Sequence, residues 1–549
     1  MFSRKASRLG LPSPNHQQSA PLVPRTTERS NESAAGPLYT ASDLANVLDL
    51  SEEQLRGVST TTLLQGFGRL FAENGAVARA DPQGTFELSR PVKQLDYFVS
   101  HAWRTSRWPK FLALLLYFNF WSGVAAYCVA AYVSFWFLTF FFESLPPMYV
   151  FAPAPSGYDA SEMRSTWLCA TTSSVAFLVG LVTAHWWRDR SCFLDVACID
   201  QLDATKKAKG ISALGALLDR SERMVVILDE HYMTRIWCIF ELAAFAKRSS
   251  MSRCDLVPLH VALQRAALTL VVIIFPLLTL SMGPIISALP NDVGFIVMLP
   301  IFAVMLSPPY VLLLYAMNQG RGTALALQRL KDFKLSDAEC FSEEDRVAIV
   351  SLIARWFGDA SLLVENADAS RQRAVGIHHF EQFIRRDVVA KLDESLGRGG
   401  ALWPQDFSLL FFLALGGGMS LDVLCAPEFG MYLVLPHAAQ QLTVFLVGAP
   451  IFGWGAARAA DATFHVQQAW RWGACAAYLF VGIPIVVVAF GIALGSTALI
   501  NPYMLFVGTD TDIGRFMYPD DGLEPFGRAL LKVQVVSIAF GCAMGLARR

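Results

Sequence analysis

Long apolar windows interrupt this chain from Phe111 onward, and each is long enough to cross a lipid bilayer. We count about eight such spans by length and composition. They run Phe111–Phe142, Thr166–Trp187, Ala266–Leu289, Val293–Met317, Phe407–Ala426, Met431–Ala457, Gly473–Ile500 and Ala529–Leu546. With 54% hydrophobic and only 17% charged residues, the 549-residue chain is too apolar for a soluble enzyme. The sequence therefore predicts a polytopic α-helical membrane protein.

The charge pattern predicts the orientation of these spans. Loops on one side hold many basic residues, including Arg188, Arg190, Lys247 and Arg321, whereas loops on the other side are rich in Asp and Glu. By the positive-inside rule the basic side is cytosolic, and an even number of spans places both termini there. No apolar run precedes Phe111, so no signal peptide is expected. The net charge of −1 gives no indication of nucleic-acid binding.

The remaining segments divide the chain into soluble and membrane parts. We expect a disordered tail at 1–37 and a small helical preface at 38–90 that ends in a strand near Thr85–Leu88. An α/β domain is predicted from 91–104 plus 191–262, separated by an inserted transmembrane hairpin at 105–190. A second hairpin at 263–318, a cytosolic helical segment at 319–400 and four further transmembrane helices at 401–549 complete the prediction.

Short runs rich in Val, Ile, Phe and Tyr predict the strands of the α/β domain. These runs are QLDYFV from Gln94, CFLDVACI from Cys192, MVVILD from Met224 and DLVPLHV from Asp255. Helical periodicity covers Ile211–Arg223 and Thr234–Lys247, with Thr234 as the expected N-cap. Alternating strands and helices favour a parallel sheet. We therefore expect Gln94–Val99 beside Cys192–Val196 and Met224–Leu228, although a hairpin parts them in sequence.

Three segments of this domain resemble a TIR (Toll/interleukin receptor) domain, in the divergent form found in many protist membrane proteins. They are DYFVSHAW from Asp96, GISALGALLDRSERMVVILDEHY from Gly210, and WCIFEL from Trp237 to Leu242. The last is similar to the Trp-Cys-x-x-Glu-Leu opening of a TIR helix. The resemblance covers roughly 100 residues and implies a flavodoxin-like fold that associates with like domains.

In one branch of that family, the resemblance also implies hydrolysis of NAD at the nicotinamide–ribose bond. The catalytic glutamate of that branch corresponds to Glu241, four residues after Trp237. This spacing puts both side chains on one helix face. A carboxylate can stabilise an oxocarbenium-like ribose, and aromatic rings can stack on nicotinamide. Phe98, Ser100 and Trp103, at the end of the first strand, complete the predicted NAD-binding residues. NAD would be a substrate, and no resident cofactor or metal is expected.

Structural roles compete with these assignments. Glu241 lies in the first turns of a helix, where the helix dipole favours an acid. Trp237 could equally pack in the core of the domain, as tryptophans of such helices often do. Asp195, Asp200 and Asp203 follow the second strand, but acids at strand ends are common, so we expect no metal site there. The usual helix after the first strand is replaced by the hairpin, and no fifth strand is visible after Asp255–Val261.

Three functions stay open at this point. The first is a membrane-embedded TIR-like signalling protein whose cytosolic domain self-associates, or binds other TIR-like domains, and hydrolyses NAD. The second is a TIR-like interaction scaffold without chemistry. The third is a channel or transporter regulated by the cytosolic domain; ionisable residues inside spans would be its mark, but Asp422 and Lys532 lie near the outer ends of theirs.

Overall fold

The structure is a computed structural model that describes residues 54–141, 148–149, 164–165, 168–287, 330–340, 342–358, 369–396 and 421–422. The predicted tail, the start of the preface and the predicted spans beyond Leu289 lie outside these residues, apart from the pair 421–422.

A six-stranded mixed sheet forms the centre of the described chain. Its strands are β1 (Arg56–Ser59), β2 (Arg90–Pro91), β3 (Leu95–His101), β6 (Ser191–Phe193), β7 (Ser221–Leu228) and β8 (Cys254–Pro258), in the spatial order β2-β1-β6-β3-β7-β8. Two further strands, β4 (Met148–Tyr149) and β5 (Arg164–Ser165), pair with each other in the insert.

Helices make up most of the rest. They are α1 (Thr60–Gly68), α2 (Ala76–Ala80), α3 (Pro82–Glu87), α4 (Arg107–Phe141), α5 (Leu168–Trp187), α6 (Asp195–Cys198), α7 (Ala204–Ser212), α8 (Leu214–Asp219), α9 (Ile236–Arg248), α10 (Leu259–Ser287), α11 (Glu343–Phe357), α12 (Ala369–Phe383) and α13 (Val389–Leu396). A π-helical segment, Ile384–Val388, joins α12 to α13, and short 3₁₀ turns cover Arg69–Phe71, Glu73–Gly75, Tyr232–Thr234, Met251–Arg253 and Leu335–Asp337.

The parallel strands β6, β3, β7 and β8 confirm the predicted pairing across the insert. Phe98 of β3 lies opposite Phe193 on one side and Met224 on the other, in parallel register. All three residues are buried. Because helices cover both faces of a parallel sheet, β3 and β7 each hold a run of consecutive buried residues, Phe98–His101 and Met224–Leu228. The chain passes from β8 directly into α10, so the described sheet has no fifth parallel strand.

The preface is not a separate unit, because it extends this sheet. Strand β1, which the sequence analysis missed, pairs antiparallel with β6 and β2. The predicted strand at Thr85–Leu88 is wrong: Asp81 caps α3 through the Gly84 amide, and Pro82 occupies its first turn, so residues 82–87 are helical. The strand falls at Arg90–Pro91 instead.

Three predicted boundaries also need correction. The second parallel strand ends at Phe193, because the Asp195 carboxylate accepts a hydrogen bond from the Val196 amide and starts the turn α6. The helix predicted to end at Arg223 stops at Asp219, and β7 begins at Ser221. Arg235, not Thr234, is the N-cap residue of α9, since the Thr234 hydroxyl is bonded to the His231 carbonyl.

Helix α4 has two parts with different surroundings. From Pro109 to Phe120 every residue is buried or half-buried, and Tyr117 donates a hydrogen bond to Asp255 at the start of β8. From Trp121 to Phe141 the helix exposes large apolar side chains such as Val133 and Trp136. Residues 121–141 span about 31 Å, which matches the hydrocarbon thickness of a bilayer. The first turns of α4 therefore pack on the sheet and belong to the α/β domain.

Helices α4 and α5 pair closely, and both are long and apolar enough to cross a membrane. Gly180 makes the close approach possible, because a Cβ there would lie 2.9 Å from the Ser122 carbonyl oxygen. Near the sheet, the Asn119 amide donates to the Leu181 carbonyl and lies 2.8 Å from His185 Nδ1. Helix α10 packs against both helices.

The described part of the cytosolic helical segment packs on α9. Trp356 of α11 stacks on Phe240 with ring centroids 5.6 Å apart. The Glu339 amide donates to the Thr234 carbonyl, and the Ile236 amide donates to the Glu339 carbonyl. Helix α13 contacts β8. The segment is thus continuous with the α/β domain.

Candidate functional site

The candidate site lies where β3 ends against α9. The Ser100 hydroxyl donates a short hydrogen bond to Glu241 Oε2 and lies 2.7 Å from the Tyr232 hydroxyl. The Tyr232 hydroxyl also lies 3.3 Å from the Cys238 carbonyl oxygen. Two predicted site residues, Ser100 and Glu241, are therefore in direct contact although they are 141 positions apart.

Local sequence explains this meeting. Alternation along β3 directs Phe98 and Ser100 to one face of the sheet and Tyr97, Val99 and His101 to the other. Helix α9 covers the Ser100 face and buries Ile239, Phe240 and Ala243. Glu241 is half-buried beside them.

Burial sets the protonation of the site. Loss of water around the Glu241 carboxyl group raises its pKa to about 8; the hydrogen bond from Ser100 lowers the pKa, and the charge of Asp195 raises it. Burial also raises the pKa of Tyr232 well above its usual value. At neutral pH most Glu241 side chains therefore hold a proton. Strongly perturbed carboxyl groups are frequent at functional sites.

On the opposite face of β3 lies a second polar group. Trp103 Nε1 donates to Asp195 Oδ2 at 3.1 Å, and the Trp103 ring meets His101 edge-on, with centroids 4.3 Å apart. His101 is buried, Nε2 has no hydrogen-bond partner, and burial lowers the His101 pKa well below its usual value. Lys110, fully buried in the first turn of α4, donates to the Ala102 carbonyl at 2.6 Å.

The other predicted ligand residues have different surroundings. Phe98 is 1% exposed and stacks on Phe193, so its ring has no surface to offer a ligand in this conformation. Trp237 is half-buried and meets Phe240 edge-on at 5.7 Å. Trp103 is half-buried and held by Asp195.

Tyr232 and Asp229 were not among the predicted site residues. Asp229 directly follows β7 and Tyr232 lies in the next turn, while Ser100 lies near the end of β3. This position at the strand ends is the signal that would have found them. Asp229 is buried, accepts a short hydrogen bond from Thr105 and binds the His231 amide.

The three acids after β6 have separate partners. Asp195 binds Trp103, Asp200 lies 3.6 Å from the Lys206 amine, and Asp203 caps α7 through the Thr205 and Lys206 amides. Within the described residues, no group of three or more His, Cys, Asp or Glu side chains could hold a metal ion.

No family model, curated protein or solved structure matches this chain. The fold and the site define a mixed α/β sheet domain that incorporates the base of a long apolar helix hairpin and carries a hydrogen-bonded Ser–Glu–Tyr group.

Proposed function

We propose that this chain is a membrane-embedded TIR-like signalling protein whose cytosolic domain hydrolyses NAD at the nicotinamide–ribose bond. The contact between Ser100 and Glu241 is the observation that carries this proposal. It brings together Glu241, which the TIR resemblance implied as the catalytic residue, and Ser100, which its position at the end of the first strand had predicted for the same cleft.

The strand order supports the proposed fold. Numbered along the chain, the parallel strands lie in the order second, first, third and fourth, as in flavodoxin-like sheets. The chain leaves β3 for a neighbour on one side and then returns to the other side at β7. Open α/β sheets bind ligands at such a switch point, beyond the carboxyl ends of the strands. Ser100, Asp229 and Tyr232 all lie there.

The proposed reaction needs few catalytic groups from the protein. In the proposed reaction the bond between ribose C1′ and the nicotinamide nitrogen breaks, and the nitrogen keeps the electron pair. Water oxygen bonds to C1′ and a proton is released, which gives nicotinamide and ADP-ribose. The ionised Glu241 carboxylate would stabilise the positive charge that develops on the ribose. Ser100 would orient that carboxylate through its hydrogen bond.

Nicotinamide release by the full chain in detergent tests the enzymatic part. We expect Glu241→Gln to lower the rate by about 100-fold or more, since it keeps the side-chain shape but removes the charge. Glu222→Gln, an exposed residue near the start of β7, is the matched control and should retain the wild-type rate. Absence of release by concentrated wild-type protein would remove the enzymatic part.

A specific observation favours the scaffold as second candidate. Leu202, in the loop before α7, is 63% exposed although it is a large apolar residue. A non-catalytic domain would use such a side chain to contact another copy. Crosslinking in membranes should then capture a dimer that Leu202→Asn weakens, while Val347→Asn, an equally polar change at an exposed valine of α11, leaves the dimer intact.

A further inference from the structure

Basic residues precede all four parallel strands of the sheet. Lys93 comes before β3, Arg188 and Arg190 before β6, Arg220 before β7, and Arg253 before β8. All five are exposed. Because parallel strands begin at the same edge of a sheet, these side chains share one edge, which we call the basic edge.

The hairpin ends at this same edge. Helix α5 stops at Trp187, and β6 starts at Ser191. Trp186 and Trp187 are exposed at 60% and 85%, and Trp121 is exposed where α4 leaves the sheet domain. Because Asn119 contacts Leu181 and His185, Trp121 and the end of α5 lie at a similar position along the axis of the hairpin. Exposed tryptophans that follow apolar spans are typical of the membrane–water interface.

The opposite edge carries both acidic and basic side chains, since Lys206, Lys207 and Lys209 of α7 also follow β6. Asp195, Asp200, Asp203, Asp229 and Glu230 follow the carboxyl ends of the parallel strands. The candidate site also lies at that edge. Five acids lie near the basic edge: Asp189, Asp219, and the second residues of β3, β7 and β8, which are Asp96, Glu222 and Asp255. Three of them have partners there, because Asp189 accepts hydrogen bonds from Thr60 and Thr61, Asp96 pairs with Arg190, and Asp255 pairs with Arg223. The basic edge and the candidate site therefore lie at opposite ends of the strands.

We propose that the basic edge binds the headgroups of anionic lipids in the cytosolic leaflet, and so holds the candidate site away from the membrane. Three observations support this partner: the edge is continuous with the two apolar helices, exposed tryptophans border it, and its charge is complementary to that leaflet. The proposal depends on membrane insertion of the hairpin but not on NAD hydrolysis.

Energy transfer from tryptophan to a labelled lipid tests this surface in the full chain. The protein is reconstituted into phosphatidylcholine vesicles with a minor fraction of phosphatidylglycerol, and dansyl is attached to one lipid or the other. We expect transfer to dansyl-phosphatidylglycerol to exceed transfer to dansyl-phosphatidylcholine about two-fold, and high salt to reduce that preference.

Two variants with the same change of charge separate the edges. The triple variant Lys93→Gln, Arg188→Gln, Arg220→Gln removes basic side chains from the basic edge and should abolish the preference. The matched control, Lys206→Gln, Lys207→Gln, Lys209→Gln, removes exposed lysines from α7, which follows the carboxyl end of β6, and should retain the preference.

Flotation after an alkaline wash distinguishes the possible failures. Two results overturn only the proposal that the basic edge binds anionic lipid. In the first, the chain floats with the vesicles but shows no preference for phosphatidylglycerol. In the second, the preference survives the first triple variant. If the chain does not float, the hairpin is not inserted in the membrane, and the proposal that the basic edge binds anionic lipid is overturned as well. None of these results bears on nicotinamide release.

Discussion

Glu241 determines how the site responds to pH. Its folded pKa of about 8 lies above the ordinary value of 4.5, because burial disfavours the charged form. With that pKa, only about a tenth of the side chains are ionised at pH 7. A reaction that uses the carboxylate should therefore speed up as pH rises toward 8.

The first prediction concerns stability and can be tested without measuring enzymatic activity. The folded state keeps the Glu241 proton between pH 4.5 and about 8, so the stability linked to that proton is complete below pH 4.5 and is lost as pH rises through 8. Glu241→Gln is always neutral and avoids this loss. The melting temperature of the variant in detergent, relative to wild type, should be several degrees higher at about pH 9 than at about pH 5. An equal difference at both values would contradict the raised pKa.

The second prediction concerns Ser100. Its hydrogen bond favours the charged carboxylate and lowers the Glu241 pKa, so Ser100→Ala should raise that pKa further. The pH profile of kcat/KM for nicotinamide release, which reports on the free enzyme, should then move to higher pH. Ser212→Ala removes an exposed hydrogen bond to the Lys209 carbonyl in α7, so it is the control and should keep the wild-type profile. An unmoved profile in Ser100→Ala would mean that another group sets the pH dependence.

At the scale of elements, apolar content was enough to predict which segments form the parallel strands. The runs that became β3 and β7 are buried on both faces over most of their length, so their composition alone identifies them, whereas β8 at the edge alternates buried and half-buried residues. Strand β1 could not be found this way, because its four residues include Gly57 and gain their stability from pairing with β6 and β2.

The site was predictable only in part. Spacing suggested that Trp237 and Glu241 share a face, but spacing cannot show which neighbour each side chain meets. Phe98 illustrates the limit: it stacks on Phe193, a residue 95 positions away, and this contact depends on tertiary structure. Likewise, the division of α4 at Trp121 reflects what packs around the helix, since its sequence is apolar on both sides of that point.

The third prediction concerns the pairing of α4 and α5. A side chain at Gly180 would meet the Ser122 carbonyl at 2.9 Å and Ala126 Cβ at 3.0 Å. Gly180→Val should therefore force the helices apart and cost about 1–3 kcal/mol, which a thermal melt in detergent would register. Val182→Ile enlarges an exposed residue two positions away and should leave the melting temperature unchanged. Equal melting of both variants would show that the close approach is not needed.

At the scale of the whole molecule, Asp422 connects parts that lie far apart in sequence. Its two carboxylate oxygens accept hydrogen bonds from the Cys169 and Ala170 amides, both 3.0 Å away, at the first turn of α5. The residue is fully buried. A charge at this position had been a possible mark of transport, but a helix start needs such an acceptor for its unpaired amides.

The fourth prediction follows from this capping role. Asp422→Leu removes both acceptors and leaves buried amides unpaired, so it should cost about 2–3 kcal/mol of stability. Asp422→Asn keeps one carbonyl oxygen, so its melting temperature in detergent should fall between those of Leu and wild type. Asp219→Asn, at an exposed position, should melt like wild type. A transport role would instead require the charge itself. Solute flux into vesicles that is lost in Asp422→Asn, in protein that melts like wild type, would therefore favour transport over the cap.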